Sequence, residues 1–468
     1  MTWTTALAGQ ATGARLSGPG DMELTGIVTD SRAVEAGSLF VALRGEHHDG
    51  HDYLDAAWAA GAAAVLVDRD TAAPAGRAVL AVRDTLLAYG ELGAWWRRRF
   101  PRLRMVNITG SLGKTSTKAL CAGVLASRFD TLASAASYNN EIGVPATLLR
   151  ITPETEAAVL EVGMRGPGQI AYLARLTQPE VGVITNIGHS HLGMPGLGSR
   201  QAIAAAKGEL LDELGPDGTA VLNADDEHLS TVARRHSGRV VWYGLGRGHE
   251  PPAEVRADAV VTEGLSGSHF RLVVGTESVE ARLRIAGEHM VSNALAAAAV
   301  GHALGLSIAE IAAGLDTVRA LPARGEVLTL ASGARLINDC YNAAPESVRA
   351  ALAVMKSEPV DGRRIAVLGG MLELGDVTEA EHVRLGRDAA QVVDVLVAVG
   401  ELGVPIAAGA QAAGRAQVVT LADPRAAGEW LASQPRRGDL VLLKASRAVY
   451  LEEALQGLEL TASAEAER

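Results

Sequence analysis

Residues 103–117 read Leu-Arg-Met-Val-Asn-Ile-Thr-Gly-Ser-Leu-Gly-Lys-Thr-Ser-Thr, and their order decides the fold. The apolar run Leu103 to Ile108 predicts a buried strand. Gly110 and Gly113 then permit a tight turn whose backbone N–H groups can curl around phosphate oxygens. A helix opening after Gly113 points its positive end at the same place. Lys114 is set to reach terminal phosphates, and the Thr115 hydroxyl to ligate Mg2+. The first glycine of the longer Walker pattern is missing, because Asn107 and Ile108 precede Thr109. A bare GxxGKT arises by chance. One held between a strand and a helix points to nucleotide phosphate, with Thr109, Gly110, Ser111, Leu112, Gly113, Lys114, Thr115 and Ser116 as contacts. A phosphate loop alone also fits a GTPase, a kinase, a motor, or a module that hydrolyses ATP and joins nothing.

Outward from this turn the chain keeps an α/β rhythm. Ahead of it, Gly26 to Asp30, Ser38 to Leu43 and Ala63 to Val67 read as strands, and Tyr53 to Gly61 as a helix. Behind it, Ala157 to Val162, Val181 to Asn186 and Ala220 to Asn223 read as strands, and Arg200 to Leu214 as a helix stopped by Gly215-Pro216. Residues 253–285 alternate like antiparallel strands, and a helix follows near Val291. From Leu321 onward, strands at Leu336 to Asp339, Arg364 to Leu368, Val393 to Val399 and Leu440 to Lys444 alternate with helical segments, a βαβ pattern with a parallel sheet. At roughly 150 residues per domain, 468 residues predict three. The expected divisions are a small α/β N-terminal domain (1–98), a central ATP-binding domain with a mostly parallel sheet (99–320) and a C-terminal Rossmann-like domain (321–468). Thr461 to Arg468 reads as a frayed tail.

Composition narrows the partners. The net charge of −11 argues against a nucleic acid, which asks for a basic face. Two distant cysteines, Cys121 and Cys340, make neither a disulfide framework nor a zinc pattern. Met1 to Leu16 lacks the basic start and apolar core of a signal peptide. The most apolar helical stretch, Asn293 to Leu306, is broken by His302 and two glycines and is too short to span a bilayer. The expectation is a cytoplasmic chain without membrane insertion, and a monomer. Lysine occurs at only five of the 43 basic positions, namely Lys114, Lys118, Lys207, Lys356 and Lys444. Arginine serves wherever a generic positive charge suffices, so each remaining lysine is a candidate for chemistry that needs an amine.

Further residues suit metal chemistry. Glu161 ends a strand beside the phosphate loop, where α/β sheets place ligands, and its carboxylate suits a second Mg2+. His189 and His191 follow the strand ending at Asn186. Mg2+ prefers oxygen, so His191 reads equally well as a paired loop histidine. Lys207 lies in the alanine-rich segment Ala204-Ala205-Ala206-Lys207-Gly208-Glu209. Its ordinary reading is a surface lysine. An amine can, however, add CO2 and become an anionic oxygen ligand, which a guanidinium does not readily do.

At this point the chain resembles the Mur ligase family, in the right order over nearly its whole length. The resemblance is carried by Thr109 to Thr117, Tyr138-Asn139-Asn140-Glu141-Ile142-Gly143-Val144-Pro145, and Asn186 to Glu209. It continues through Gly287-Glu288-His289 with Asn293, Asn338-Asp339-Cys340-Tyr341-Asn342 and Lys444-Ala445-Ser446-Arg447. Asp30-Ser31-Arg32 and Gly37 to Glu46 match the family's N-terminal substrate domain. The Asn-Asn-Glu-Ile-Gly-Val-Pro element and the Tyr-Asn-Ala after Asp339 are most similar to the branch that adds D-alanyl-D-alanine to a UDP-linked muramyl tripeptide. The Asp-Asn-Pro-Arg signature of the diaminopimelate-adding branch is absent.

The resemblance implies ATP, two Mg2+ ions and a carbamylated lysine. It places Lys114 on phosphates and Thr115 on the first ion, with Glu161, His191 and carbamylated Lys207 around the second. His289 and Asn293 are implied near adenine, and Arg324 and Asp339 at ATP phosphate and ribose. Ser31 is implied at the UDP end, Asn139 and Asn140 near the reacting centre, and Asn342, Lys444 and Ser446 at the incoming dipeptide or the closing interface. The implied reaction is amide formation through an acyl phosphate. Leu112, Gly193, Ala344, Gly370 and Ala445 depart from the family's usual residues. Three of them lie where the amine is expected, so a Mur-like ligase joining a different acid and amine is the alternative.

Overall fold

A computed structural model of the chain describes residues 2–135, 138–246 and 251–462. The strand Arg104–Thr109 lies inside a nine-stranded sheet. Its parallel neighbours are Ala157–Glu161 on one side and Val181–Ile184 on the other. Thr219–Asn223 and Arg239–Gly244 continue the parallel order. These strands are apolar on both faces because helices cover both, as parallel sheets require. The helix Lys114–Ala126 covers one face together with Glu288–Ala303, which is buried almost all round through Met290, Val291, Leu295 and a run of alanines. The helix Arg200–Asp212 contacts the strands Val181–Ile184 and Arg104–Thr109 and belongs to a separate apolar cluster. No helix among the described residues is long and apolar enough to cross a membrane.

Residues 255–283 form three strands, as their alternation predicts, joined antiparallel to one another. Val255–Thr262, however, meets Arg239–Gly244 in parallel, so the antiparallel part extends the parallel sheet. The N-terminal region forms a five-stranded sheet ordered Arg15–Ser17, Ala78–Ala81, Ala64–Val67, Leu39–Val41, Ile27–Val28. Its expected strands are present but shorter. The helix begins at Leu54, because the 3-10 turn Gly50–Tyr53, capped by the Asp49 carboxylate, precedes it. The helices Thr5–Thr12 and Thr85–Arg97 and the strand Ala78–Ala81 are additions to the expected set. The C-terminal region is a seven-stranded sheet. Its five parallel strands are Gln417–Leu421, Val395–Val399, Arg364–Leu368, Leu440–Lys444 and Arg335–Asn338. The expected frayed tail is corrected at its start. Thr461 and Ala462 pair antiparallel with Thr329 and Leu328, which satisfies backbone groups of an otherwise open edge. Residues 463–468 lie outside the described residues.

The central and C-terminal sheets bring the C-terminal ends of their parallel strands to a common cleft. The loops after Thr109, Glu161 and Ile184 contribute from one side, and those after Asn338, Leu368 and Lys444 from the other. Ligands bind where such strand ends meet.

Candidate functional site

The phosphate loop is built by close backbone approaches. Gly110 has φ of 148°, and a Cβ there would stand 1.8 Å from the Thr185 hydroxyl. Gly113 caps the helix with φ of 80°, and its Cβ would stand 2.5 Å from Asn293 Oδ1. Only glycine meets both demands. The turn is held through its backbone by the side chains of two residues outside it. Asn186 Oδ1 accepts from the Leu112 amide at 2.9 Å, and the Thr185 hydroxyl donates to the Leu112 carbonyl at 2.6 Å. The loop's shape therefore does not depend on the unusual Leu112 side chain. Lys114 Nζ donates to the carbonyls of Gly110 at 2.7 Å and Ser111 at 3.4 Å. Burial pushes its ammonium below the usual lysine range, partly offset by Glu161 and Glu373, while Arg324 adds to the shift. Desolvated cations beside a cradle of amides suit a polyphosphate.

Glu161 is 1% exposed at the end of its strand. Lys118, one helical turn beyond Lys114, puts Nζ 3.1 Å from Glu161 Oε1 and donates to the Ser134 carbonyl at 2.8 Å. His191 Nδ1 lies 2.8 Å from Glu373 Oε2 across the cleft. Burial pushes its imidazole below the usual histidine range, opposed by Glu373. Lys207 is not on the surface. It is 1% exposed and has neither a hydrogen-bond nor an ion-pair partner among the described residues. Burial, with nearby Lys114 adding to it, pushes its ammonium far below the lysine range. A buried charge without a partner is costly, which favours the neutral form of this amine.

No group of three or more His, Cys, Asp and Glu among the described residues is arranged to hold a metal. Glu161 and His191 alone are too few for a divalent ion. They fit one if Lys207 carries a carboxylate, which a neutral, partnerless amine can acquire.

Across the cleft the C-terminal sheet supplies Arg324, whose guanidinium stacks 4.0 Å over the Tyr341 ring. Burial lowers its pKa, with Glu161, Tyr341 and Asp339 opposing. Lys444 Nζ donates to Asp339 Oδ2 at 2.5 Å and to the Asn342 carbonyl at 3.0 Å. The Ser446 hydroxyl donates to the Ala343 carbonyl at 3.1 Å and accepts from the Leu372 amide at 2.9 Å. His289 and Asn293 lie on the first turns of the helix Glu288–Ala303, Asn293 against Gly113.

Three families match in series: the Mur ligase family, catalytic domain, at residues 23–94; the Mur ligase middle domain at 108–301; and the Mur ligase, glutamate ligase domain, at 323–447. The chain belongs to the Mur ligase family. It is 37% identical to the UDP-N-acetylmuramoyl-tripeptide–D-alanyl-D-alanine ligase of Escherichia coli, over 94% of each chain. Among solved structures it is similar to MurF from Acinetobacter baumannii, with a TM-score of 0.88 and 33% identity over 97% of this chain and 98% of that one. It is also similar to the MurF ligase of Thermotoga maritima solved in complex with ADP, with a TM-score of 0.79 and 27% identity over 92% and 96%. As in its relatives, the activity is that of an ATP-dependent ligase.

Within this Mur ligase the sequence-selected residues do not all share one place. The loop residues, Glu161, His191, Lys207, Asn293, Arg324 and Asp339 border the cleft. Ser31 sits in a 3-10 turn just beyond Ile27–Val28, the edge strand of the N-terminal sheet. Asn139 packs on Gly163, whose amide donates to its carbonyl at 2.8 Å. The Asn140 Oδ1 is committed to the turn, accepting from the Gly143 amide at 2.9 Å. Three of the departures have packing reasons. A Cβ at Gly193 would stand 2.8 Å from the Gly375 amide nitrogen, and one at Gly370 2.7 Å from Leu402 Cδ1. The Ala445 methyl fills the space facing Gly369. Lys118, Asn186, Glu346 and Glu373 were not assigned roles from sequence. Lys118 carried one signal, as a rare lysine beside the loop. Glu346 and Glu373 carried none, since each meets its histidine only through tertiary contact.

Proposed function

We propose that this Mur ligase joins D-alanyl-D-alanine to UDP-N-acetylmuramoyl-tripeptide, converting ATP to ADP and phosphate. The observation that carries this reading is the similarity to ligases bearing that name over nearly the full length of both chains. In the reaction, a carboxylate oxygen of the tripeptide attacks the γ-phosphorus and ADP departs. The dipeptide amine then attacks the acyl phosphate carbon, phosphate leaves, and the nitrogen loses a proton. The protein's task is positioning and charge compensation. The amides of 110–114 and Lys114 hold phosphate oxygens, and Arg324 adds a guanidinium from the opposite domain. Asn293 and His289 lie on the adenine side, and Asp339 at the ribose. Ser31 holds the UDP end. Asn139 and Asn140 serve the reacting carboxylate, and Asn342, Lys444 and Ser446 the incoming dipeptide. Closure of the C-terminal domain keeps water from the acyl phosphate.

Thr115 would hold one Mg2+, and Glu161, His191 and the carbamate of Lys207 a second. When bound, these ions neutralise charge developing on the transferred phosphoryl group. The carbamate forms when the neutral Lys207 nitrogen attacks CO2 and releases a proton. We place the domains at 1–98, 99–320 and 321–468, and take the enzyme as a cytoplasmic monomer.

The test is phosphate release by the purified chain given ATP, UDP-muramyl-tripeptide and a panel of amines. Release that depends on D-Ala-D-Ala and yields the pentapeptide is expected. Release with another acid–amine pair and none with this one would move the chain to a different Mur-like ligation. Substrate-independent ATP turnover would end the ligase reading altogether.

A further inference from the structure

The loop 188–194, which carries both cleft histidines, is clamped by the C-terminal domain at several points. His189 Nδ1 pairs with Glu346, on the first turn of the helix Pro345–Ser357. His191 Nδ1 lies 2.8 Å from Glu373 Oε2. The Gly193 amide donates to the Glu373 carbonyl at 2.9 Å, and the backbones of Gly193 and Gly375 touch so closely that no Cβ fits between them. The two partners share a second property. His191 has φ of 72° and Glu373 φ of 63°, both left-handed in residues that carry a Cβ. That conformation is strained for a residue with a Cβ, and such strain persists where surrounding structure imposes it. A partly exposed ion pair contributes little to stability. Binding strength alone does not account for the arrangement, whereas aiming a ring does.

Glu373 Oε2 faces Nδ1 at ion-pair distance without hydrogen-bond geometry, and Nε2 has no hydrogen-bond partner among the described residues. A metal-bound histidine commonly gives its other ring nitrogen to a carboxylate, which fixes the tautomer and the ring's direction. We propose that Glu373 is the positioning residue for His191: a carboxylate from the C-terminal domain that turns the imidazole's Nε2 toward the second-ion site, so that this site is complete only when the two domains dock. Cation occupancy and closure are then one equilibrium. An ion bound through His191 favours the docked state, and docking tightens the ion. This inference rests on the reading of His191 as a cation ligand.

The experiment counts Mn2+ bound to the full chain, by electron paramagnetic resonance, with a non-hydrolysable ATP analogue and bicarbonate present. Spin labels on the central and C-terminal domains report the docked fraction in the same samples. In Glu373→Gln and Glu373→Ala, the weaker Mn2+ site should lose about 10- to 100-fold in affinity, the tighter site should hold, and the docked fraction should fall. The 14N modulation from the imidazole on the bound Mn2+ should weaken in both variants. Glu373→Asp should recover part of each signal, which a merely structural residue would not produce. His191→Ala separates the failures. If His191→Ala loses the weaker ion and Glu373→Ala keeps it at wild-type affinity with the docked fraction unchanged, the positioning role is wrong and the cation site stands. If His191→Ala also keeps both ions at full affinity, the ligand assignment itself is wrong.

Discussion

Replacing Lys207 with methionine should make the protein more stable and inactive. Methionine has a similar length and no amine. In CO2-free buffer the wild-type amine is buried, with no partner among the described residues. Burying an amine without a protein partner costs at least about 1–3 kcal/mol, and Lys207→Met should recover that amount or more. For a domain of this size each kcal/mol moves Tm by roughly 2–4 °C, so a rise of several degrees is expected in the transition containing the central domain. The pH dependence supplies a second signature. The native pKa is lowered, so below the unfolded lysine's pKa of about 10.4 the unfolded chain holds a proton that the native chain lacks. Unfolding then takes up a proton, and stability falls as the pH falls, by up to about 1.4 kcal/mol per unit. The fall ends where native Lys207 itself protonates. Lys207→Met should flatten this slope. Calorimetry at several pH values, in CO2-free buffer and again with bicarbonate plus Mg2+, measures both effects. Bicarbonate with Mg2+ should raise the wild-type Tm and leave the variant unmoved. A variant that melts below wild type in CO2-free buffer, with the same pH slope, would refute the partnerless-amine reasoning.

Three other outcomes follow from the same geometry. Lys118→Met strands the buried Glu161 carboxylate beside an apolar side chain and should cost about 3–5 kcal/mol, seen as a lowered denaturant midpoint; an unchanged midpoint would remove Lys118 as Glu161's partner. Gly113→Ala demands φ of 80° from a residue with a Cβ and sets that carbon 2.5 Å from Asn293 Oδ1, so the KM for ATP should rise about 5- to 30-fold for a cost of about 1–2 kcal/mol, measurable by initial rates. Gly193→Ala wedges a methyl against the Gly375 backbone and acts on docking rather than on either domain; kcat/KM should drop at least about fivefold for a packing cost of about 1–3 kcal/mol while Tm holds, and a matching loss in Tm would place the effect inside a domain instead.

Some of this protein was legible because the signal is short-ranged. The turn 110–113 is written in consecutive residues, since glycine spacing and one lysine suffice to shape a phosphate cradle. The buried strands at 104–109, 364–368 and 440–444 follow mainly from apolar runs, because a parallel sheet covered on both faces leaves few polar positions to confuse the period. Lys207 was marked by scarcity, as one of five lysines in an arginine-rich chain. Its burial was not visible, because an alanine-rich helix reads the same whichever face it turns inward. The short strand Ala78–Ala81 and the helices Thr5–Thr12 and Thr85–Arg97 were missed. So was the pairing of residues 460–462, which comes from a neighbouring strand rather than from local propensity. The tertiary structure alone decided the meetings across the cleft: His189 with Glu346, His191 with Glu373, and the near-contact of Gly193 and Gly375. Local sequence carries backbone propensity and periodicity. The distance between two side chains more than 150 residues apart is fixed only when whole sheets pack, and the cleft's chemistry depends on that distance.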